Sequence, residues 1–223
     1  MMPTPWLPPP PHLSLPPDEI HLWRAPLPLT DGDPQLLTLL STDERERAAR
    51  LRIAAKRQQF VAGRVLLRQL LGRYLGAAPQ TLTFAYGPQG KPRLSAAPIA
   101  FNLAHAGAWA FVAVTRKLEV GVDLEQIDPH LDYARLAAQF FTAEEQRKLS
   151  GFPVARRRRG FYRLWTRKEA RLKGEGGGFS RPDASDAGEA WQLRSFPVAR
   201  GYLGALAVTG DAYLVRRWDF VAE

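Results

Sequence analysis

Cysteine is absent from the 223 residues, which excludes disulfides, thiol nucleophiles and zinc–thiolate sites and agrees with a cytosolic setting. Long apolar runs are lacking as well. None reaches the roughly 18 residues of a membrane span, and the N-terminus has no basic stretch followed by an apolar one. These absences predict a soluble, unexported, cytoplasmic protein with no membrane attachment. Acidic residues are scarce, 22 against 31 lysines and arginines, and the formal charge of +9 calls for an anionic partner: nucleic acid, a phosphorylated small molecule or an acidic protein. What remains is 45% apolar, enough for a packed core in one large domain or in two halves of about 100 residues.

Proline is crowded into residues 1–17, with Pro8 to Pro11 consecutive, so this segment is expected as an extended tail or a strap over the surface. Ile20-His21-Leu22-Trp23-Arg24 alternates like a half-buried strand. Ser41-Thr42-Asp43-Glu44 has the spacing of a capping box and opens a helix carrying Arg45, Arg47, Arg50 and Arg52. From about Arg57, helical intervals connect Phe60, Val61, Arg64, Leu67, Arg68 and Leu71. Gly87-Pro88-Gln89-Gly90-Lys91-Pro92 reads as a turn presenting one lysine, and Ile99 to Leu103 and Ala108 to Thr115 read as strands with His105 and Gly107 between them.

The second part repeats the first. Thr142-Ala143-Glu144-Glu145 is again a capping-box spacing, at an offset of 101 from Ser41, and the same offset carries Phe60 onto Phe161. Ala113-Val114-Thr115 recurs as Ala207-Val208-Thr209. The repeat implies two related halves about a pseudo-twofold axis with a cleft at the seam. In that register Arg68 occupies the position of Glu169, so one half would supply cations and the other carboxylates.

The carboxylates stand out in Gly121-Val122-Asp123-Leu124-Glu125. Along a strand Asp123 and Glu125 share a face, about 6.5–7 Å apart at Cα, and suit Mg²⁺, which takes one or two carboxylates and completes its octahedron with water and phosphate oxygens. A solvated acidic edge strand is the alternative. Further on, Glu169 and Lys173 lie at i and i+4 on a helix from about Phe161, the spacing of a surface ion pair, and the glycines from Gly174 to Gly178 end it in a flexible loop. Arg156 to Arg159 make a basic run, either a solvated helix face or a docking patch for an acidic partner.

Five motifs stand in order: Gly90-Lys91-Pro92; Phe101-Asn102-Leu103-Ala104-His105-Ala106-Gly107; Gly121-Val122-Asp123-Leu124-Glu125; Phe140-Phe141-Thr142 leading to Glu145; and Trp165-Thr166-Arg167-Lys168-Glu169-Ala170 leading to Lys173. Together they resemble the Sfp-type 4′-phosphopantetheinyl transferases over roughly residues 20–180. Leu22-Trp23-Arg24 and the arginine-rich helices are similar to the bacterial and cyanobacterial branch that serves fatty-acid, polyketide and glycolipid synthases.

The resemblance implies an α+β protein, a pseudo-twofold arrangement of two related halves with the active site at their interface. A tail at 1–17, an N-terminal half at 18–119 contacting nucleotide phosphates and a C-terminal half at 120–223 holding metal and catalytic carboxylates would follow, in a monomer that is itself a pseudo-dimer. It implies transfer of the 4′-phosphopantetheine arm of coenzyme A to a serine of an acidic apo acyl or peptidyl carrier protein, releasing adenosine 3′,5′-bisphosphate. Asp123, Glu125 and Glu169 resemble the ligands of Mg²⁺, with Glu145 as a fourth family carboxylate that capping explains equally. Glu169, Lys173 and His105 carry over as catalytic groups, and Lys91 and His105, with Arg57 and Arg64, as groups that bind coenzyme A. Ala104 and Ala106 stand where the family has serines beside the histidine, so a serine at 104 is expected to reach a phosphate. A basic nucleic-acid-binding module accounts for the charge but not for the three carboxylates, and a degenerate binder of coenzyme A or carrier protein is the third reading.

Overall fold

The computed structural model describes residues 5–27, 34–95, 97–176, 191–210 and 213–221. Its first strand, β1 (Glu19–Pro26), is buried on both faces rather than half-buried. Ile20 and Leu22 face one core while Trp23 and Ala25 face another, and the intervening His21 is itself only 2% exposed. A short helix, α1 (Pro34–Thr38), precedes α2 (Thr42–Arg50), where the expected capping box forms and the Ser41 N–H donates to Glu44 at 3.0 Å. The long helix α3 (Ala54–Leu75) packs Leu66, Leu67, Leu70 and Leu71 on the first sheet and ends at Gly76, whose φ of 61° only glycine adopts cheaply. A small hairpin follows, β2 (Phe84–Tyr86) and β3 (Pro92–Leu94), joined by the turn that carries Lys91.

Strands β4 (Ala100–Ala106) and β5 (Trp109–Thr115) form a second hairpin about Gly107 and Ala108. Gly107 has φ of 50°, and a Cβ on it would lie 2.4 Å from the Tyr202 hydroxyl, so both conformation and space require glycine. His105 is therefore a strand residue and not part of the connection, as the sequence suggested. Beyond lie β6 (Val120–Gln126), α4 (Tyr133–Phe140), α5 (Ala143–Ser150), α6 (Arg157–Gly174), β7 (Gln192–Ala199), β8 (Tyr202–Val208) and β9 (Leu214–Asp219).

Hydrogen bonding orders the main sheets as β4-β5-β1-β9 and β6-β8-β7. The fold is α+β, and its halves follow one path: strand, capped short helix, long helix, then a hairpin whose second strand returns beside the first. The recurrent Ala-Val-Thr triplets close the equivalent central strands β5 and β8. β9 departs from the repeat by pairing in parallel with β1, so the stretch expected to belong wholly to the second half ends in the first sheet. One core lies between α3 and the first sheet, and another fills the seam with Leu22, Phe111, Val122, Val198 and Leu206. Residues 5–17 of the proline-rich segment form a strap: Leu7 bridges to Trp218, and Trp6 donates its indole N–H to the Pro197 carbonyl at 3.2 Å. Among the described residues no helix is long and apolar enough to cross a membrane.

Candidate active site

The seam brings α6 across β6 at very short range. A Cβ on Gly121 would lie 2.0 Å from the Ala170 carbonyl oxygen and 2.4 Å from the Gly174 nitrogen. This approach aligns Asp123 and Glu125 of β6 with Glu169 and Lys173 of α6. Lys173 does not pair with Glu169, as its helical spacing suggested; its ammonium donates to Asp123 Oδ1 at 2.6 Å. Asp123 is 4% exposed, and its other oxygen, Oδ2, is buried without a hydrogen-bond partner, as is Oε1 of Glu169. Burial first, and then the Asp123 charge, push the carboxyls of Glu125 and Glu169 up to about 7. The Trp165 side chain, by hydrogen bonding to Glu125, offsets part of that rise.

This is an electrostatically incomplete cluster: three acids and one ammonium, with two acceptor lone-pair sites buried and unused. Buried acceptors left unmatched cost about 1–3 kcal/mol each, more for charged groups. Among the described residues no three carboxylate or imidazole groups are arranged as a ready-made metal site. The donor set, hard carboxylate oxygens with orphaned lone pairs, nevertheless fits a small dication such as Mg²⁺. Glu145 contributes little here. Its Oε2 accepts the Thr142 N–H at 2.8 Å in the capping box and the Lys168 ammonium at 2.9 Å, so the capping explanation of this residue suffices.

Next to the acids opens a cleft of about 250 Å³, lined by Gly63 and Arg64 of α3, Lys91, Leu103 and His105 from the first half and Lys173 from the second. At that volume it receives part of a ligand, since sites for whole drug-sized molecules run from about 300 to 1,000 Å³. His105 shares this lining with Lys173, and burial and the Lys173 charge hold its imidazole below the ordinary range. Lys91 reaches across the seam and donates to the carbonyls of Gly174 at 2.8 Å and Val120 at 3.3 Å, its ammonium pushed down in pKa mainly by burial. It thus caps the end of α6 and ties the halves together.

Two expected cations are not free. Arg64 lines the cleft, but its guanidinium is held by Glu44 and donates to the Tyr86 hydroxyl at 3.1 Å. Arg68, expected to answer Glu169 with a free cation, is fully buried, donating to Glu44 Oε2 at 2.6 Å and to the carbonyls of Pro79 and Leu82 at 2.9 Å. Arg57 is outside the cleft lining, exposed, with Nη1 donating to the Leu51 carbonyl at 3.4 Å. Ala104 packs into the seam core beside Phe111 and is not among the residues that line the cleft, so a serine there would not reach a bound phosphate.

Sequence reasoning passed over Arg47, Tyr86 and Asn102, which also line the cleft. Asn102 Oδ1 accepts the Val122 N–H at 2.9 Å and so stitches β4 to β6 beside the acids. Its place within the histidine motif was the available signal. Of the glycine-rich loop, Gly176 rounds off α6 with φ of 70°, and the portion from 177 lies outside the described residues.

Comparison with known proteins bears on this arrangement. A family model described as "4′-phosphopantetheinyl transferase superfamily" matches residues 119–212, and one described as "4′-phosphopantetheinyl transferase, N-terminal" matches residues 28–117. The chain is 36% identical to the 4′-phosphopantetheinyl transferase HetI of Nostoc sp., over 96% of this chain and 98% of that protein. It is 36% identical to a putative 4′-phosphopantetheinyl transferase of Synechocystis sp. over 82% of this chain and 81% of that protein, and 29% identical to a 4′-phosphopantetheinyl transferase of Bacillus subtilis over 70% of this chain and 69% of that protein.

Proposed function

The chain belongs to the 4′-phosphopantetheinyl transferase superfamily, beside its cyanobacterial members, and from that premise we propose that it moves the 4′-phosphopantetheine arm of coenzyme A onto a serine of an acidic apo acyl or peptidyl carrier protein. The observation that carries the detail is the pair of buried, unpartnered oxygens, Asp123 Oδ2 and Glu169 Oε1, at the edge of a cationic cleft. Acids so placed repel a diphosphate unless a cation stands between them. Asp123, Glu125 and Glu169 would hold Mg²⁺, which when bound supplies charge neutralisation to the diphosphate oxygens.

The remaining work falls to side chains. Lys91 and His105, with Arg47 nearby, receive the nucleotide phosphates, and Arg64, held on Glu44, adds a fixed partial positive field rather than a free cation. Glu169 takes the proton of the carrier serine as its oxygen attacks the β-phosphorus. The bond from phosphorus to adenosine 3′,5′-bisphosphate breaks, and Lys173 receives the charge on the departing oxygen. Positioning and electrostatics carry most of such a phosphoryl transfer.

The test is to incubate the protein with coenzyme A, Mg²⁺ and an apo carrier protein and weigh the carrier intact. A mass gain of one phosphopantetheine, lost in EDTA and restored by Mg²⁺, is expected. Modification that persists in EDTA removes the metal from this reading, and an unchanged carrier removes the carrier.

A further inference from the structure

Because the halves repeat one path, the helix and strand that wall the cleft recur in the second half. The cleft's first-half wall is the N-terminal part of α3 with β4, from which Asn102, Leu103 and His105 line it. The matching strand orders, β4-β5-β1 and β7-β8-β6, equate α3 with α6 and β4 with β7. A second cleft of about 420 Å³ lies against that helix and strand, lined by Arg156 just before α6, by Arg159, Arg163 and Arg167 of α6 and by Ser195 and Pro197 of β7.

The basic run in the sequence divides here. Arg157 donates to the carbonyls of Phe152 and Ser150, and Arg158 to those of Asp128 and Leu131, so both are turned into the fold. The four arginines of the cleft have no carboxylate partner among the described residues. Arg167 gives one N–H to Ser195 Oγ at 2.9 Å. Its guanidinium is pushed down in pKa by burial and by the charge of Arg163, the mark of like charges gathered without a counter-ion.

The reacting groups have no image. At the offset of 101, Asp123, Glu125 and Glu169 correspond to Leu22, Arg24 and Arg68. Leu22 is buried in the seam, Arg24 holds Asp219 and the Val198 carbonyl, and Arg68 is locked on Glu44. Trp6 of the strap closes the rim at the Pro197 carbonyl, with Arg24 stacked 5.0 Å from its ring.

We propose that this arginine-lined cleft is a second, non-catalytic anion site that binds a small molecule carrying two or more phosphates. Guanidinium groups present forks of N–H donors that match phosphate oxygens, and the Ser195 hydroxyl lies among them. The concave shape between helix and strand suits a small ligand more than a flat protein surface. The assignment does not depend on what is transferred in the first cleft.

Isothermal titration of the whole chain with inorganic pyrophosphate tests it. Two binding events are expected for the wild type. The double variant Arg159→Gln/Arg163→Gln should weaken one of them about tenfold or more, with unchanged unfolding temperature and unchanged carrier modification. Lys91→Ala should weaken the other event. A single event in the wild type, or two events untouched by the arginine pair, overturns the proposal. So does a double variant that raises the KM for the carrier while leaving both pyrophosphate events intact, since the arginines would then serve an acidic protein surface.

Discussion

Asp123 Oδ2 and Glu169 Oε1 are held out of water with no donor, a cost that folding bears for some purpose other than stability. If that purpose is to bind a cation, Glu169→Gln should relieve charge repulsion and cost activity together. The variant's unfolding temperature without metal should equal or exceed that of the wild type, Mg²⁺ should no longer raise it, and transfer should fall on the order of a hundredfold. Thermal unfolding with and without Mg²⁺ reads the first two, and a timed carrier assay the third. His21 poses the opposite electrostatic case. Burial outweighs its contact with Glu19 and holds the imidazole below 6.5, so the unfolded chain takes up a proton first as pH falls. The stability contributed by the neutral ring is present above that value and is lost as pH drops through the folded pKa. Urea midpoints from pH 8 to pH 5 should therefore converge for the wild type and His21→Gln. At Ala104, a serine would bring a hydroxyl into the seam core beside Phe111, so Ala104→Ser should lower stability by about 1–3 kcal/mol and leave the KM for coenzyme A unchanged.

Helix α6 carries Glu169 and Lys173 only because Gly121 lets it lie on β6. Gly121→Ala should force helix and strand apart, lowering stability by about 3 kcal/mol in chemical denaturation and abolishing transfer with every site side chain still present. Helices α2 and α3 depend likewise on one carboxylate. Glu44 closes the capping box and neutralises two buried guanidinium groups, so Glu44→Gln should cost about 3–5 kcal/mol. Glu44 also marks how far the sequence could be read. The capping boxes and the helical intervals were visible because they are local patterns, and the acids of the site because strand and helix spacing aligns them. Whether Arg57, Arg64 or Arg68 meets a ligand was not visible, since a helical period assigns a face but not the partner across it. Nor was the return of β9 to β1, where Leu214 to Asp219 pair with a strand almost the whole chain away.

At the scale of the molecule, a charge of +9 should steer the acidic carrier proposed above toward the protein before any contact forms. The steering is screened beyond about 8 Å at physiological ionic strength, so the KM for the carrier should rise with added salt while kcat changes little. Steady-state rates between low and high salt check this. The position of β9 also shapes how the protein is made. Strand β1 leaves the ribosome first but its outer edge is covered only when Leu214–Asp219 emerges, roughly 10–40 s later at ordinary rates of synthesis. During that interval the nascent first sheet presents an open hydrogen-bonding edge beside Trp23, so the first half ripens last although it is translated first, and a ribosome stalled before residue 214 would display a sticky, protease-sensitive intermediate.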